Sequence, residues 1–383
     1  MTLAEISYGD LKTKMAEAVE KETIQVDELR REVRGLTVRK LDYRPCKTIA
    51  PLATDGGENR LTFEPLNLEI IRVVDSEGQE LVQEVIAISE DDSIFREMSE
   101  RLPVMQQLLK SLGIDFEALS YLLGSKKSQD VKRVSDNRGR VRAFRDIVEW
   151  AVLLNLASRD WPINVLLLRD GLLRTKTLKR ETFPKLDLAF RRIFENQAAP
   201  GKRKVFLLGV AKTSAVLSKL SLAMILERTF DRDYPCYAEV PQDLEAKCYN
   251  FDRTWLETAS DNTDCGRQLY QSFGRLHLMK LGSSPDSPVL PVDVPVWLPN
   301  NRKQEVLEYL VNDALNTFPV LGYPSALQRA HENAVLTGLE MTVLGDMMTD
   351  SLQNHMDGSL RERIIRHVHL GRGLIKGGGR RSG

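Results

Sequence analysis

The sequence has few cysteines and no net charge, and each shortage argues against a class of protein. Only 4 of its 383 residues are cysteine, and they are scattered without the paired spacing of a zinc site. A disulfide framework is equally disfavoured, so the cysteine pattern predicts reduced thiols in a cytoplasmic protein. Lys plus Arg and Asp plus Glu both total 54, which argues against a uniformly basic coat but leaves room for local basic segments.

Long apolar runs and two familiar catalytic motifs are also missing. No stretch approaches the roughly 18–20 uncharged apolar residues that a membrane helix needs, so we expect no membrane association. The N-terminal segment is charged and amphipathic, unlike a signal peptide. The Gly-x-x-x-x-Gly-Lys-Ser/Thr phosphate loop and the Gly-x-Ser-x-Gly nucleophile motif are absent. A P-loop ATPase and the usual serine hydrolase are therefore disfavoured.

What remains is the pattern of an α/β protein, in which short apolar runs alternate with amphipathic helical stretches. We expect a mixed sheet flanked by helices. Helical spacing predicts an N-terminal helical arm over residues 1–45, and one large domain over residues 46–370. That domain would carry a helical insertion at about 92–140 and an irregular segment at about 230–300. The glycine-rich basic tail, residues 371–383, is expected to be disordered.

Three expectations concern particular elements. A short strand over residues 48–54 is predicted to end at Asp55, and two further strands up to residue 89 would complete an antiparallel meander. The proline-rich segment 289–298 is expected at a sheet edge or on an irregular path. Residues 325–349 have the pattern of one long helix.

Two acidic residues come directly after apolar strand patterns, and each is followed by glycine. Asp55 lies in APLATDGG, and Asp170 lies in VLLLRDGLL. A strand-ending Asp-Gly taken alone is most often a turn. Two carboxylates at the ends of neighbouring strands would repel each other unless a metal ion lay between them. We therefore hypothesise a metal-dependent active site built on this pair.

A third carboxylate is expected from the strong helix that precedes the second strand. Glu149 lies in an apolar stretch of that helix, where a lone acid is costly unless it is paired or bound to a metal. An ion pair with Arg142 or Arg145 is the structural alternative. Asp146, about one helical turn away, is the alternative third carboxylate.

A lysine and a histidine would complete the set. Lys212 follows the apolar run VFLLGV and would share a sheet edge with Asp170 if their strands are parallel. His331 lies near the start of the C-terminal helix, and carboxylates with an imidazole suit Mn²⁺ as well as Mg²⁺. Lys212 would neutralise charge on a phosphate. Basic segments at 125–145 and 174–192 would follow a nucleic-acid backbone. The remaining histidines have no acidic group beside them in the sequence and are interpreted as structural.

Together these motifs resemble the NurA nuclease family. The resemblance covers most of the chain, from about residue 45 to 345. Its most specific motif is Gly-Tyr-Pro followed by Ala-His at a helix start, because that combination has no generic structural reason. The motifs are ATDGG at 53–57, a Glu in the helix before the second strand, LLLRDGLL at 166–173, LLGVAKTS at 207–214 and GYPSALQRAHENA at 322–334.

The resemblance implies an RNase H-like core and Mn²⁺-dependent (or Mg²⁺-dependent) cleavage of DNA ends and single strands. It also implies a homodimer that works with a HerA-type hexameric ATPase, in DNA end processing or in defence against foreign DNA. Asp55, Asp170 and His331 match its metal-binding positions, Glu149 is the further carboxylate, and Lys212 matches its catalytic lysine. Two alternatives stay open. One is a catalytically silent subunit of the same fold that docks an ATPase or DNA. The other is a sugar-kinase-like ATPase, which would need more glycine-rich phosphate loops than this core contains.

Overall fold

The chain divides into two compact units. The first contains Met1–Thr54 and Leu153–Arg329, and the second contains Asp55–Val152 and Ala330–Gly383. The computed structural model describes residues 8–43, 49–63, 66–87, 93–120, 123, 137–175, 177–179, 181–197, 203–250, 271–315 and 317–354. The predicted disordered tail, residues 371–383, and much of the basic segment 125–145 lie outside these residues.

The described elements are helices and strands of an α/β fold, as predicted. The strands are β1 Arg39–Lys40, β2 Ile49–Phe63, β3 Leu66–Asp75, β4 Glu80–Ala87, β5 Asn164–Asp170, β6 Arg174–Thr175, β7 Val205–Val210, β8 Cys236–Glu239, β9 Gln271–Ser272, β10 Gly274–Lys280 and β11 Val289–Pro295. The helices are α1 Tyr8–Arg34, α2 Ser93–Arg101, α3 Pro103–Leu112, α4 Asn137–Ser158, α5 Phe183–Gln197, α6 Ala215–Leu226, α7 Gln242–Asn250, α8 Asn300–Ala314, α9 Ser325–Ala334 and α10 Gly338–Asn354.

The first unit is built on a mixed sheet with strand order β1-β8-β10-β11-β7-β5-β2. The strands β2, β5 and β7 are parallel to one another, while β11, β10, β8 and β1 follow in antiparallel pairs. Strand β5 is apolar because it is buried in the middle of this sheet: Val165–Leu168 are at most 2% exposed. Burying each such side chain contributes about 1.5–3 kcal/mol.

The N-terminal helix packs on the first unit. Leu29 and Val33 of α1 belong to an apolar cluster with Val216 and Leu220 of α6. Glu227, at the end of α6, accepts hydrogen bonds from two arginines of α1. The predicted helical arm is thus a helix from residue 8 to residue 34 that is attached by both apolar and ionic contacts. Within the described residues, no helix combines the length and the apolar character that a membrane crossing requires.

The second unit contains the strands β2, β3 and β4 in that order, with β3 and β4 antiparallel. The predicted strand over residues 48–54 was too short. Strand β2 has 15 residues and continues through Asp55, Gly56 and Gly57. Asp55 therefore lies within a strand and not at its end.

Two other element predictions were wrong. Strand β11 is not at an edge, because it pairs with β10 on one side and β7 on the other. Pro291 is tolerated there because its carbonyl still accepts the N–H of Ala211 at 3.0 Å. The single helix over 325–349 is two helices. Thr337 and Glu340 exchange hydrogen bonds as a capping box that starts α10.

Candidate active site

Asp170 is held at the end of β5 by a turn that requires glycine. The Gly171 N–H donates to the Val210 carbonyl at 2.8 Å. Gly171 has φ +124°, and a Cβ there would lie 2.6 Å from Arg169 Nη1, so the turn excludes larger residues. The Asp170 side chain is 15% exposed. The strand and turn thus fix the position of this carboxylate, and they confirm the prediction that it ends a buried strand.

Lys212 lies beside Asp170. Strand β7 is buried along its whole length and parallel to β5, with Val210 opposite Asp170. Two residues further on, Lys212 Nζ is 3.9 Å from Asp170 Oδ2 and 5.5 Å from the centre of the Tyr323 ring. This confirms that the two side chains share one edge of the sheet. The long separation and the half-exposed lysine describe a loose ion pair with room for a ligand.

Asp55 is bound on both of its carboxylate oxygens within the second unit. Its Oδ1 accepts the N–H of Gly56 at 2.8 Å, and its Oδ2 lies 2.8 Å from His331 Nδ1. The Asp55 side chain is mostly buried, whereas His331 is half exposed. The carboxylate oxygen and the imidazole nitrogen are both possible metal ligands. A divalent cation bound by the two groups would replace the hydrogen bond between them.

Glu149 closes over the backbone next to Asp55. The position that a Cβ would occupy at Gly56 collides with Glu149 Oε1, so only glycine lets the helix α4 carboxylate approach β2 this closely. Arg145 Nε lies 3.3 Å from Glu149 Oε1, which means that the structural alternative, an ion pair, is also present. Arg142 instead contacts Glu58 at 3.2 Å. Asp146 is only partly buried, and the close approach to Gly56 belongs to Glu149.

The C-terminal end of α9 is fixed within the second unit by contacts to β3 and its turn. Asn333 Nδ2 donates to the Asp75 carbonyl at 3.3 Å. Glu340 of α10 pairs with Arg72 of β3 at 3.0 Å. The Asn333 contact holds the end of α9 that carries His331, and the Glu340 contact holds the start of the next helix. They explain how a residue 276 positions along the chain from Asp55 reaches its carboxylate.

Each unit therefore assembles part of the predicted set. The first holds Asp170 with Lys212, and the second holds Asp55 with His331 and Glu149. The sequence predicted no role for Tyr323, whose ring lies next to the Lys212 ammonium. Its signal was the Gly-Tyr-Pro motif, whose tyrosine is 3% exposed.

A comparison with known families decides where the chain belongs. The family model described as the NurA domain matches residues 52–336, which is well over half of the chain. The chain belongs to the NurA family. The match spans every predicted site residue, from Asp55 to His331. It therefore confirms the family that the sequence motifs predicted.

Solved NurA structures resemble this NurA-family chain along most of its length. The crystal structure of the NurA nuclease from Sulfolobus solfataricus is 12% identical, with a TM-score of 0.40, covering 91% of this chain and 98% of that one. A crystal structure of NurA with manganese is 10% identical, with a TM-score of 0.37, covering 90% of this chain and 99% of that one. At these values the family model alone carries the assignment. The comparison with curated protein sequences gave no match.

Proposed function

We propose that this NurA-family chain is a metal-dependent nuclease that hydrolyses phosphodiester bonds of DNA, with Mn²⁺ or Mg²⁺ as the metal. The observation that carries the proposal is the contact between Asp55 and His331, in which a carboxylate and an imidazole meet although they are 276 positions apart in sequence. The named relatives support it, since one is described as a nuclease and another was solved with manganese.

Asp55, Asp170 and His331 are proposed as the metal ligands, with Glu149 as the further carboxylate. Within the first unit, Thr54 of β2 pairs with Arg169 of β5, and these are the residues directly before Asp55 and Asp170. Carboxylate oxygens and an imidazole nitrogen fit Mn²⁺, and oxygens alone fit Mg²⁺. When bound, the metal supplies Lewis acidity to the scissile phosphate and lowers the pKa of the attacking water.

Lys212 is proposed to bind the phosphate. Its ammonium is 3.9 Å from Asp170 Oδ2, beyond hydrogen-bond distance, so it can move toward an incoming phosphate oxygen without breaking a close bond. The Tyr323 ring next to it restricts that movement to one side. A positive charge in this position would neutralise negative charge that develops on the phosphate during displacement.

Three finer features rest on family membership and are part of the proposal. The mixed sheet is proposed to be the RNase H-like core. The chain is proposed to act as a homodimer with a HerA-type hexameric ATPase that moves DNA. Such a complex would serve DNA end processing or defence against foreign DNA. Light scattering of the chain, alone and mixed with such an ATPase, measures the oligomeric state and the complex directly.

The test of the proposed function is cleavage of labelled linear single- and double-stranded DNA with Mn²⁺, by wild type, Asp55→Ala and Asp170→Ala. We expect cleavage by wild type and its loss in both variants. Cleavage that persists in both variants would contradict the site. If wild type does not cleave with either metal, or with a HerA-type ATPase added, the catalytically silent docking subunit is the better explanation.

A further inference from the structure

A cavity in the first unit, away from the proposed metal ligands, has the construction of an anion site. It has a volume of about 300 Å³ and is lined by residues of β10, of the end of β11 and of the start of α8. Val292 and Asp293 of β11 pair with Val210 and Gly209 of antiparallel β7. Continuing along β11 therefore leads toward the beginning of β7 and away from the edge that carries Asp170.

His277 contributes a buried ring nitrogen without a hydrogen-bond partner. The side chain is 1% exposed, and its Nδ1 lies 2.9 Å from the Arg275 carbonyl. A carbonyl only accepts, so Nδ1 carries a proton. Nε2 has no hydrogen-bond partner among the described residues, and the nearest acid, Glu239 Oε2, is 3.6 Å away. The neutral ring therefore presents Nε2 as an unpaired acceptor, which a donor group of a ligand would satisfy.

Trp297 contributes a second unpaired group. Its ring stacks on Phe194 at a centroid distance of 4.4 Å, which fixes the orientation of the indole. Its Nε1 is buried and lacks an acceptor within the described part of the chain. An indole N–H can only donate, so the group that it lacks is an acceptor.

The start of α8 also faces this cavity. The helix has 15 residues, and Pro299 at its N-cap makes no side-chain capping bond. Its first turn contains Arg302 and Lys303 and no acid. Cations at a helix N-terminus oppose the helix dipole, whereas an anion there is stabilised by it. A bound anion would offset the unfavourable interaction between these cations and the helix dipole.

The charges around the cavity leave a positive excess. Glu239 is the acid beside it, and it is shared by Arg275 Nη1 at 3.2 Å and by Lys303 Nζ at 2.7 Å. Around the cavity, two cations, a helix N-terminus and the unpaired indole N–H of Trp297 thus outweigh one carboxylate.

We propose that this cavity binds a phosphate group, held by Arg275, Lys303 and the start of α8, with the indole N–H of Trp297 as a further donor. A phosphate has three acceptor oxygens, enough to satisfy several converging donors at once. A volume of about 300 Å³ exceeds that of one phosphate and lies at the lower limit of small-molecule sites. The phosphate would therefore belong to a larger molecule, either a free nucleotide or a DNA strand. The site needs no metal and does not depend on cleavage.

The test is calorimetric titration of the full chain with inorganic phosphate in EDTA. We expect saturable binding by wild type. Arg275→Ala and Lys303→Gln should each weaken it about tenfold, the effect of one lost charge-assisted hydrogen bond. Arg302→Ala is the matched control, because Arg302 has the same charge in the same turn but contacts Glu305 and does not line the cavity. It should change the affinity less than twofold.

Two further arms identify the source of the phosphate, a nucleoside 5′-monophosphate and a 5′-phosphorylated oligonucleotide. Binding of either that weakens in Arg275→Ala supports the site and names the source. No saturable binding of any of the three probes, or equal weakening in Arg302→Ala, overturns it. Arg275 is largely exposed, so its variant stays informative if Lys303→Gln unfolds. Phosphate binding that survives in Asp170→Asn, while cleavage is lost, keeps this site separate from the proposed function.

Discussion

Two groups of paired acids and cations in the first unit differ in burial and in the distance between their charges. In the buried arginine cluster, Arg174 makes two hydrogen bonds to Asp293, at 2.8 and 2.5 Å, and one to Glu245. These side chains are at most 6% exposed. In the strand-end pair, Asp170 and Lys212 lie 3.9 Å apart and are 15% and 48% exposed. One cluster is closed by short hydrogen bonds, and the other is a long contact to a half-exposed lysine.

The difference separates a structural role from a binding role. A buried ion pair must satisfy its hydrogen bonds internally, because removing one partner leaves a desolvated charge. An open pair contributes little to stability in water but can exchange its partner for a ligand. We therefore expect variants of the buried arginine cluster to change stability, and variants of the strand-end pair to change cleavage.

The largest effect is expected from Asp170→Asn. The variant keeps the shape of the side chain and removes its charge, so DNA cleavage with Mn²⁺ should fall about 10³-fold, as for the loss of a strong electrostatic group. Its thermal melting temperature should stay within about 2 °C of wild type, because a single 3.9 Å contact to a half-exposed lysine contributes little to stability. A large loss of stability with retained specific activity would reverse the roles assigned to the two clusters.

Asp293→Ala tests whether the buried arginine cluster has a structural role. Removing this carboxylate leaves the buried Arg174 guanidinium with Glu245 alone and two of its hydrogen bonds unmade, and we expect about 3 kcal/mol lower free energy of unfolding, measured by urea titration. The folded fraction should keep its cleavage rate per molecule. Destabilisation below about 0.5 kcal/mol, the range of ordinary surface substitutions, would mean that the cluster is not structural.

Lys212→Ala removes the cation of the strand-end pair. We expect cleavage to fall about 10²-fold, since the variant loses one group that stabilises charge on the phosphate. Mn²⁺ affinity should be unchanged or slightly higher, because no ligand is lost. Equal losses of cleavage and Mn²⁺ binding would show that Lys212 supports the acids and not the phosphate.

Gly56→Ala tests the position of Glu149 without touching its charge. The new methyl group would displace the carboxylate, and we expect about tenfold weaker Mn²⁺ binding, as for disturbed support of a metal ligand. Gly139→Ala, in the helix that carries Glu149, is the control because nothing lies near the added atom. Unchanged Mn²⁺ binding in Gly56→Ala would exclude Glu149 from the ligand set.

The smallest effect is expected at an exposed ion pair. Arg34 and Arg30 lower the pKa of Glu227 from 4.5 to about 2. A lowered pKa means that the stabilisation is complete above pH 4.5 and is lost as the pH falls toward 2. The melting-temperature difference between wild type and Glu227→Gln should therefore shrink over that interval. A difference that is constant from pH 7 to pH 2 would exclude this pair as its source.

The sequence predicted the parts of the site that follow buried strands. Asp170 and Lys212 follow β5 and β7, whose apolar runs are continuous because both strands are buried in a parallel sheet. The sequence could not predict that β2 continues through Gly56. Two glycines are a turn signal, but in the structure they allow close approaches to distant residues, Gly56 to Glu149 and Gly57 to Ala334.

Other differences came from local and long-range contacts. The Thr337–Glu340 capping box was readable and marks a helix start that periodicity alone hides. The interior position of β11 was not readable, because it depends on its pairing with β7. The phosphate cavity was equally hidden, since it joins His277 to a helix start some twenty residues later through the β10–β11 pairing.

The central claim is that Asp55 and Asp170 bind the metal that cleaves DNA. Calorimetric titration of Mn²⁺ into wild type, Asp55→Asn and Asp170→Asn tests it most directly. We predict saturable binding by wild type and at least about tenfold weaker binding by each variant, in parallel with the loss of cleavage. Unchanged Mn²⁺ affinity in both variants, with cleavage retained, would contradict the account.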